Sequence, residues 1–596
     1  MTLSQTVPAP IPTLPPKLVE QLKQRAADLL AYLISTNAGT AYFREAPLLS
    51  DLRAALGHVD ECRSPDANDS LNTFIATVPL STYEDYRPYV ARFLESPRRL
   101  SAVSNLLAPG IPSFVLSSSG TTSGAAKYFL KYRHPPSTSS SSIHAFRAFF
   151  DASTEYGRHC TMFNLRYQDL LEVVDDDDAN SQMVDTVPLC LGSSAAWRTF
   201  HGWKVENDSA LMTIKAPNST SPIAIAFINA HRTYLLMHAL FALEDRSLEM
   251  INALFSTIFL DFLRLIDEHW DMLIQAIEDG VVPELDGAEN VHQYLQAQFK
   301  PNPTRAAELR TVGNDTTSPG WAQRLWPDLR LVIANASGMF SRVTQQIRHY
   351  TGDSICFQSA GFGSSEAWVA EVYDPQRDLN LYKMSSDDLF EYLDVSLPET
   401  AAHLKRAWEV EIGKDYELVL TTRDGFWRYR IGDIVEIAGF DPVDGQPIIR
   451  YSGRRKFIMR AAGEFVTDKE LLDAVHAVSD TLGNVTEFTV IIDDRRIPRA
   501  YGFLVELNGS PGPKAKDAPS RLNDFLRSTN DTFAYFSSRG GVGTPTIRVL
   551  APGTFRSYRE WRINNSALGG GQIKVPTITV DDQVVEWLLV RVVEEI

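Results

Sequence analysis

Two apolar tripeptides, Phe114-Val115-Leu116 and Tyr128-Phe129-Leu130, bracket the run Ser117-Ser118-Ser119-Gly120-Thr121-Thr122-Ser123-Gly124-Ala125-Ala126-Lys127. Glycines let a backbone turn its N–H groups toward one point, hydroxyls add donors and a lysine adds charge, which is the equipment for holding a polyphosphate. A Ser/Gly-rich surface loop has the same composition. The run is not a Walker loop: it has no Gly-Lys-Ser/Thr, and Lys127 leads into a strand-like stretch instead of a helix. The loop is therefore expected to join two strands and to hold phosphates by hydroxyls and amides, without a helix N-terminus. That arrangement suits an enzyme that holds ATP while its α-phosphate is attacked.

At 596 residues the chain is too long for one ordinary core, so two or more domains are expected. A net charge of −17 argues against a nucleic acid or an anionic membrane as the main partner, without forbidding a local basic site. The four cysteines, Cys62, Cys160, Cys190 and Cys356, show no metal-ligand spacing and read as reduced thiols of a cytoplasmic protein. The stretches Pro222 to Leu243 and Ile251 to Ile266 contain charged residues and read as buried helices instead of membrane spans.

Residues 1–16 are proline-rich and are expected to be a tail that is disordered or weakly docked. Leu18, Leu22, Ala26, Leu29, Leu30 and Leu33 then fall on one face of a helix, and Thr77–Tyr86 leads into another. The middle of the chain reads as mostly helical, with a solvated loop at Asp175–Asp178 and long helical periodicity from Leu248 to Gly280. Within it, His269 reads as a packing or hydrogen-bonded residue. Strand, helix and strand are expected at Leu329–Ala334, Ser341–Tyr350 and Ser354–Ser359, the alternation of an α/β layered domain. Past Arg454-Arg455-Lys456 the chain starts a smaller α+β unit, opened by a Thr467/Glu470 capping box. Strands are expected there at Thr486–Ile492, Tyr501–Glu506 and Thr546–Leu550, with helices at Ser520–Phe536 and Phe555–Arg562. The domains are thus read as a tail (1–16), a large multi-layer α/β domain (17–452) and a smaller, mobile α+β lid (453–596).

Three more clusters carry chemistry. Phe362-Gly363-Ser364-Ser365-Glu366 follows a strand, where a carboxylate can ligate Mg²⁺; most loop glutamates are merely solvated. In Tyr429-Arg430-Ile431-Gly432-Asp433, a carboxylate after a glycine turn can accept both ribose hydroxyls, though an exposed hairpin aspartate has the same sequence. Near the C-terminus, Gly570-Gly571-Gln572-Ile573-Lys574-Val575-Pro576 puts a lysine on a glycine-rich loop, either a surface residue or one that swings into a site built elsewhere.

Taken in order, these clusters resemble the adenylate-forming enzymes, and more narrowly the plant auxin- and jasmonate-conjugating acyl-acid amido synthetases and their microbial relatives. The extra residue before Gly124 is typical of that branch, and Phe362–Glu366 and Tyr429–Asp433 are similar to its Tyr-Ala-Ser-Ser-Glu and Tyr-Arg-Val-Gly-Asp. Val78-Pro79, Thr82–Asp85, Leu325–Pro327 and Ser337-Gly338-Met339 agree with it as well. Phe362 departs from the usual tyrosine, and Thr577 from a common arginine.

The resemblance implies a ligase that uses Mg·ATP to adenylate a carboxylic acid, then passes the acyl group to an amine, expected to be an amino acid. Ser118, Ser119, Gly120, Thr121, Thr122 and Lys127 would cradle the β- and γ-phosphates. Glu366 would hold Mg²⁺, Ser365 would touch the α-phosphate, and Phe362 and Tyr429 would lie near the nucleoside. Asp433 would clamp the ribose, and Lys574 would reach over from the lid during adenylation. Ser337, Gly338 and Met339 would border the acid, while Arg454, Arg455 and Lys456 would form a hinge on which the lid turns between half-reactions. A monomer with no nucleic-acid or membrane partner is expected. Two rivals remain: a thioester ligase acting on CoA or a carrier protein, and a non-catalytic nucleotide-binding scaffold.

Overall fold

The computed structural model describes residues 7–57, 67–118, 127–134, 157–176, 182–337, 343–374, 378–455, 458–464, 466–564 and 574–596. Ser119, Gly120, Thr121, Thr122, Gly338, Met339 and Lys456 lie outside the described residues.

The first core joins N-terminal helices to two sheets. The opening helix Pro16–Asn37 buries Leu18, Leu22, Ala26, Leu30 and Leu33, leaving Leu29 half-covered at the stripe's edge. Each such leucine contributes about 1.5–3 kcal/mol. The residues before it do not form a free tail. Ile11 exchanges both backbone hydrogen bonds with Phe440, at 2.9 and 3.0 Å, and the Tyr373 hydroxyl donates to the Pro8 carbonyl at 2.7 Å. The end of the strand Tyr429–Phe440, beyond its pairing with Asp415–Thr421, gives Ile11 a partner that composition alone could not reveal.

Phe114–Ser117 and Tyr128–Lys131 pair antiparallel, so the hydroxyl-rich run does connect two strands. They belong to a five-stranded sheet with Met183–Cys190, Tyr167–Val174 and Arg98–Arg99. Beside it stands an eight-stranded antiparallel sheet from Phe362–Gly363 to Leu404–Lys405, with Tyr429–Phe440 and Pro447–Arg454 in its middle. The Asp-Pro and Asp-Gly pairs around residue 443 turn one of these strands into the next, Phe440 facing Pro447.

A second core surrounds a four-stranded parallel sheet, His159–Thr161, Met250–Phe255, Leu331–Asn335 and Cys356–Gln358. The last two strands and the helix Thr344–Thr351 between them fall where the sequence puts them. The reading of Ile251 to Ile266 as one helix is corrected: Met250–Phe255 is a strand, and helix starts only at Ser256. A strand buried on both faces is continuously apolar, so it lacks the alternation that separates strand from buried helix. The periodicity through Gly280 is likewise two helices, Ser256–Glu268 and Trp270–Asp279, broken at His269. His269 hydrogen-bonds Arg232 at 2.5 Å. Among the described residues no helix is long and apolar enough to cross a membrane.

Residues beyond 458 form cores of their own around Val485–Asp493, Ala500–Leu507, Thr546–Leu550 and Val592–Glu595. The capping box is present: Thr467 accepts from the Glu470 N–H, and Glu470 accepts from the Thr467 N–H at 2.7 Å. The single helix expected at Ser520–Phe536 is two, Ala518–Thr529 and Asp531–Ser538, because Asn530 breaks the first and caps the second. This lobe meets the parallel-sheet unit through Arg559, which reaches Asp261 at 2.7 Å and Glu487 at 2.9 Å, and through Arg556, which reaches Glu268 at 2.5 Å.

Candidate active site

One cleft of about 1670 Å³ runs between the sheets and under the C-terminal lobe. Ser118, Lys127, Ser337, Phe362, Ser365, Glu366, Asp433, Arg454 and Lys574 all line it, though they come from five separate parts of the chain.

At the mouth of the hydroxyl loop, Ser118 and Lys127 close the hairpin. The Ser118 N–H donates to the Lys127 carbonyl at 2.8 Å, and the Lys127 N–H donates to Ser118 Oγ at 2.9 Å. Lys127 lies over the Tyr83 ring, 5.3 Å from its centre. Tyr83 in turn accepts from the Tyr128 N–H at 2.9 Å, so the helix Tyr83–Leu94 braces the loop's base.

Glu366 sits in the short connection between Phe362–Gly363 and Trp368–Val372, where Ser364 Oγ accepts from the Glu366 and Ala367 N–H groups at 3.2 Å. Burial, and then the nearby Glu366 carboxylate, push the Tyr429 hydroxyl well above the ordinary tyrosine range. The expected place of Tyr429 beside the nucleoside is corrected on this point. The ring is 1% exposed, packed 4.9 Å from Phe426 and 5.9 Å from Tyr86, and does not line the cleft. Phe362 does line it, with Tyr382 and Tyr451 at its edges.

Asp433 is not in a hairpin turn but inside the strand Tyr429–Phe440, reached through Gly432 at φ 83°. It accepts from Arg454 Nε at 2.5 Å, and this carboxylate is the main cause of the guanidinium's raised proton affinity. Arg454 therefore belongs to the site's floor. Arg455 pairs with Glu399 at 2.9 Å, so both hinge arginines are tied down in this conformation. Beside them Asp468 accepts from the Arg454 N–H at 3.3 Å, and burial lifts its carboxyl to about 6.

Lys574 comes from the C-terminal lobe and lies 4.7 Å from the Phe255 ring centre. Burial and nearby Arg454 lower it to about 8, with Asp433 opposing them. A lysine of that kind neutralises charge that appears in front of it.

Two parts of the site were missed. Lys131 pairs with Asp424 at 2.5 Å, and Asp424 also meets His134 at 2.9 Å. Burial would raise the Asp424 carboxyl, but Lys131 and His134 outweigh it and hold it well below the carboxylate range. Nothing marks these residues in sequence, since Asp424 lies about 290 positions from its partners. The other missed part is an apolar wall from the helix Gly192–His201 and beyond, with Trp197, Phe200 and Trp203 facing Met162, Tyr234 and Phe255.

The layered α/β body with its smaller C-terminal lobe matches a solved structure of the GH3.15 acyl acid amido synthetase, which superposes with a TM-score of 0.75 over 97% of this chain and 95% of that one, at 20% identity. The chain belongs to the GH3 family, whose N-terminal domain profile matches residues 16–174 and 188–356, central domain profile 383–454 and C-terminal domain profile 469–583. It is 26% identical to the indole-3-acetic acid-amido synthetase GH3.10 of Arabidopsis thaliana, over 94% of this chain and 93% of that protein. It is also 25% identical to the jasmonoyl–L-amino acid synthetase GH3.5 of Oryza sativa subsp. japonica, over 85% of this chain and 86% of that protein.

Proposed function

We propose that this chain adenylates a carboxylic acid with ATP and transfers the acyl group to an amine, an amino acid being the expected acceptor. The observation that carries the reading is the convergence of the hydroxyl-loop hairpin, Glu366, Asp433 and Lys574 on one cleft in a GH3-family chain. A carboxylate is a poor electrophile because its two oxygens share the charge. Joining one oxygen to AMP supplies a leaving group, and pyrophosphate departs as that bond forms.

Each side chain has a separable task. Ser118 and Lys127 start the cradle for the β- and γ-phosphates. Asp433, held in place by Arg454, accepts from the ribose hydroxyls. Lys574 offsets charge building on the α-phosphate, and its withdrawal on a hinge at 453–456 frees the acyl carbon for the amine. Glu366 would hold Mg²⁺, which would offset the charge of the triphosphate. The cleft fits that ion, because it offers one firmly held carboxylate, Glu366, beside the Ser365 and Ser118 hydroxyls, hard oxygen donors that leave most of the shell to phosphate and water. The acid itself is assigned to the wall of Trp197, Phe200 and Trp203, next to Ser337.

The test is a panel of carboxylic acids incubated with enzyme, Mg·ATP and hydroxylamine and scored for hydroxamate and AMP. Acid-dependent hydroxamate together with AMP supports the reading. AMP release with no acid in the panel refutes it, and a thioester formed when CoA replaces hydroxylamine moves the chain to the thioester ligases.

A further inference from the structure

Glu366 is the carboxylate on which the metal reading rests, yet it stands in a four-residue connection where a side chain would ordinarily turn freely. Two contacts prevent that. On the core side the Tyr429 hydroxyl lies close enough to the carboxylate for Glu366 to raise its proton affinity, and Ser364 Oγ accepts from the Glu366 N–H at 3.2 Å. At the other end of the residue, Lys131 Nζ donates to the Glu366 carbonyl at 2.7 Å. The lysine comes from the last residue of Tyr128–Lys131, the strand that leaves the hydroxyl loop. Its ammonium is aimed by Asp424, which it meets at 2.5 Å and which the Tyr132 N–H (3.0 Å) and His134 Nε2 (2.9 Å) fix in turn. Lys131 and Asp424 side chains are 23% and 10% exposed, at the wall of the cleft instead of out in solvent.

We propose that Lys131 is a positioning residue for the metal carboxylate, with Asp424 as its anchor. A residue pinned at its carbonyl by Lys131 and at its N–H by Ser364 Oγ has its Cα–Cβ direction restricted on both sides. The carboxylate is then preorganised before nucleotide arrives. Lys131 commits two of its three donors to Asp424 and the Glu366 carbonyl, so it acts on the metal through Glu366. The same lysine joins the strand of the phosphate loop to the metal loop, so the two halves of the triphosphate site share one brace. The inference rests on the ligase reading above, but only on the part that gives Glu366 the metal.

The experiment measures equilibrium binding of ATP by calorimetry, in EDTA and across a Mg²⁺ titration, on the whole chain. Lys131→Met should raise the Mg²⁺ concentration needed for half-maximal tightening by about tenfold, the usual cost of losing a partner behind a metal ligand. It should leave metal-free ATP affinity unchanged. Lys131→Arg, which can keep both contacts, should restore the wild-type metal dependence. Asp424→Asn should fall between, and it carries the test together with Lys131→Arg if Lys131→Met does not fold. Unchanged metal dependence in Lys131→Met or Asp424→Asn overturns the proposal, as does an equal loss of ATP affinity in EDTA, which would make Lys131 a phosphate ligand. If Glu366→Gln abolishes the metal effect while Lys131→Met does not, the positioning role falls and the ligase reading stands. If ATP binding by the wild-type chain ignores Mg²⁺, both fall.

Discussion

Lys574 offers the sharpest test, because its environment fixes both a pH and a sign. Burial and Arg454 lower it from the ordinary 10.5 to about 8. If its charge is what adenylation needs, acid-dependent pyrophosphate release should drop about tenfold between pH 7 and pH 9, following the protonated fraction of a group with a pKa near 8. Lys574→Arg should lose that limb, since a guanidinium stays charged throughout the range. Amide formation from a supplied acyl-adenylate should ignore the substitution.

The same shift acts on stability. The unfolded chain holds this proton more tightly than the folded one, so the cost of the buried charge is fully present below pH 8 and is relieved as pH rises from about 8 toward the unfolded value near 10.5. At about 1.4 kcal/mol per pH unit that cost is at most about 3 kcal/mol, less whatever water in the cleft supplies. Lys574→Met should therefore be more stable than wild type at pH 7, and the gap should close by pH 10, read from paired denaturant titrations. A pyrophosphate profile flat to pH 9, or the same falling limb in Lys574→Arg, refutes the placement.

The bridge between lobes gives a second prediction. Asp261→Asn leaves Arg559 with Glu487 alone, so isolated-lobe folding should survive while the C-terminal lobe becomes more accessible to limited proteolysis. Arg428 and Glu391, 1% and 4% exposed, form a bidentate pair at 2.7 and 2.8 Å, and Glu391→Gln should cost about 3–5 kcal/mol in chemical denaturation because it strands a buried guanidinium. Tyr429→Phe keeps the packed ring but removes the hydroxyl near the Glu366 carboxylate, so it should weaken the Mg²⁺ dependence of ATP binding with little change in melting temperature.

What the sequence by itself determined is local or ordered along the chain. The turn between Phe114–Ser117 and Tyr128–Lys131, the amphipathic helix at Leu18 and the Thr467/Glu470 cap are set by neighbours within a few residues. The family was legible for a different reason: its four chemical clusters keep their order even where each alone is ambiguous. Only the tertiary structure decided how those clusters are held. Burial turned Met250–Phe255 into a strand, and the end of Tyr429–Phe440 docked Ile11. Asp433 gained Arg454, read as a hinge residue, across a strand pair. Tyr429 packs in the core, with its hydroxyl near the Glu366 carboxylate. Lys131 found Asp424 at the far end of the sheet because two hydrogen-bonded segments of different sheets abut there. Such contacts come from packing sheets against each other, and periodicity within one segment carries no record of which segment will face it.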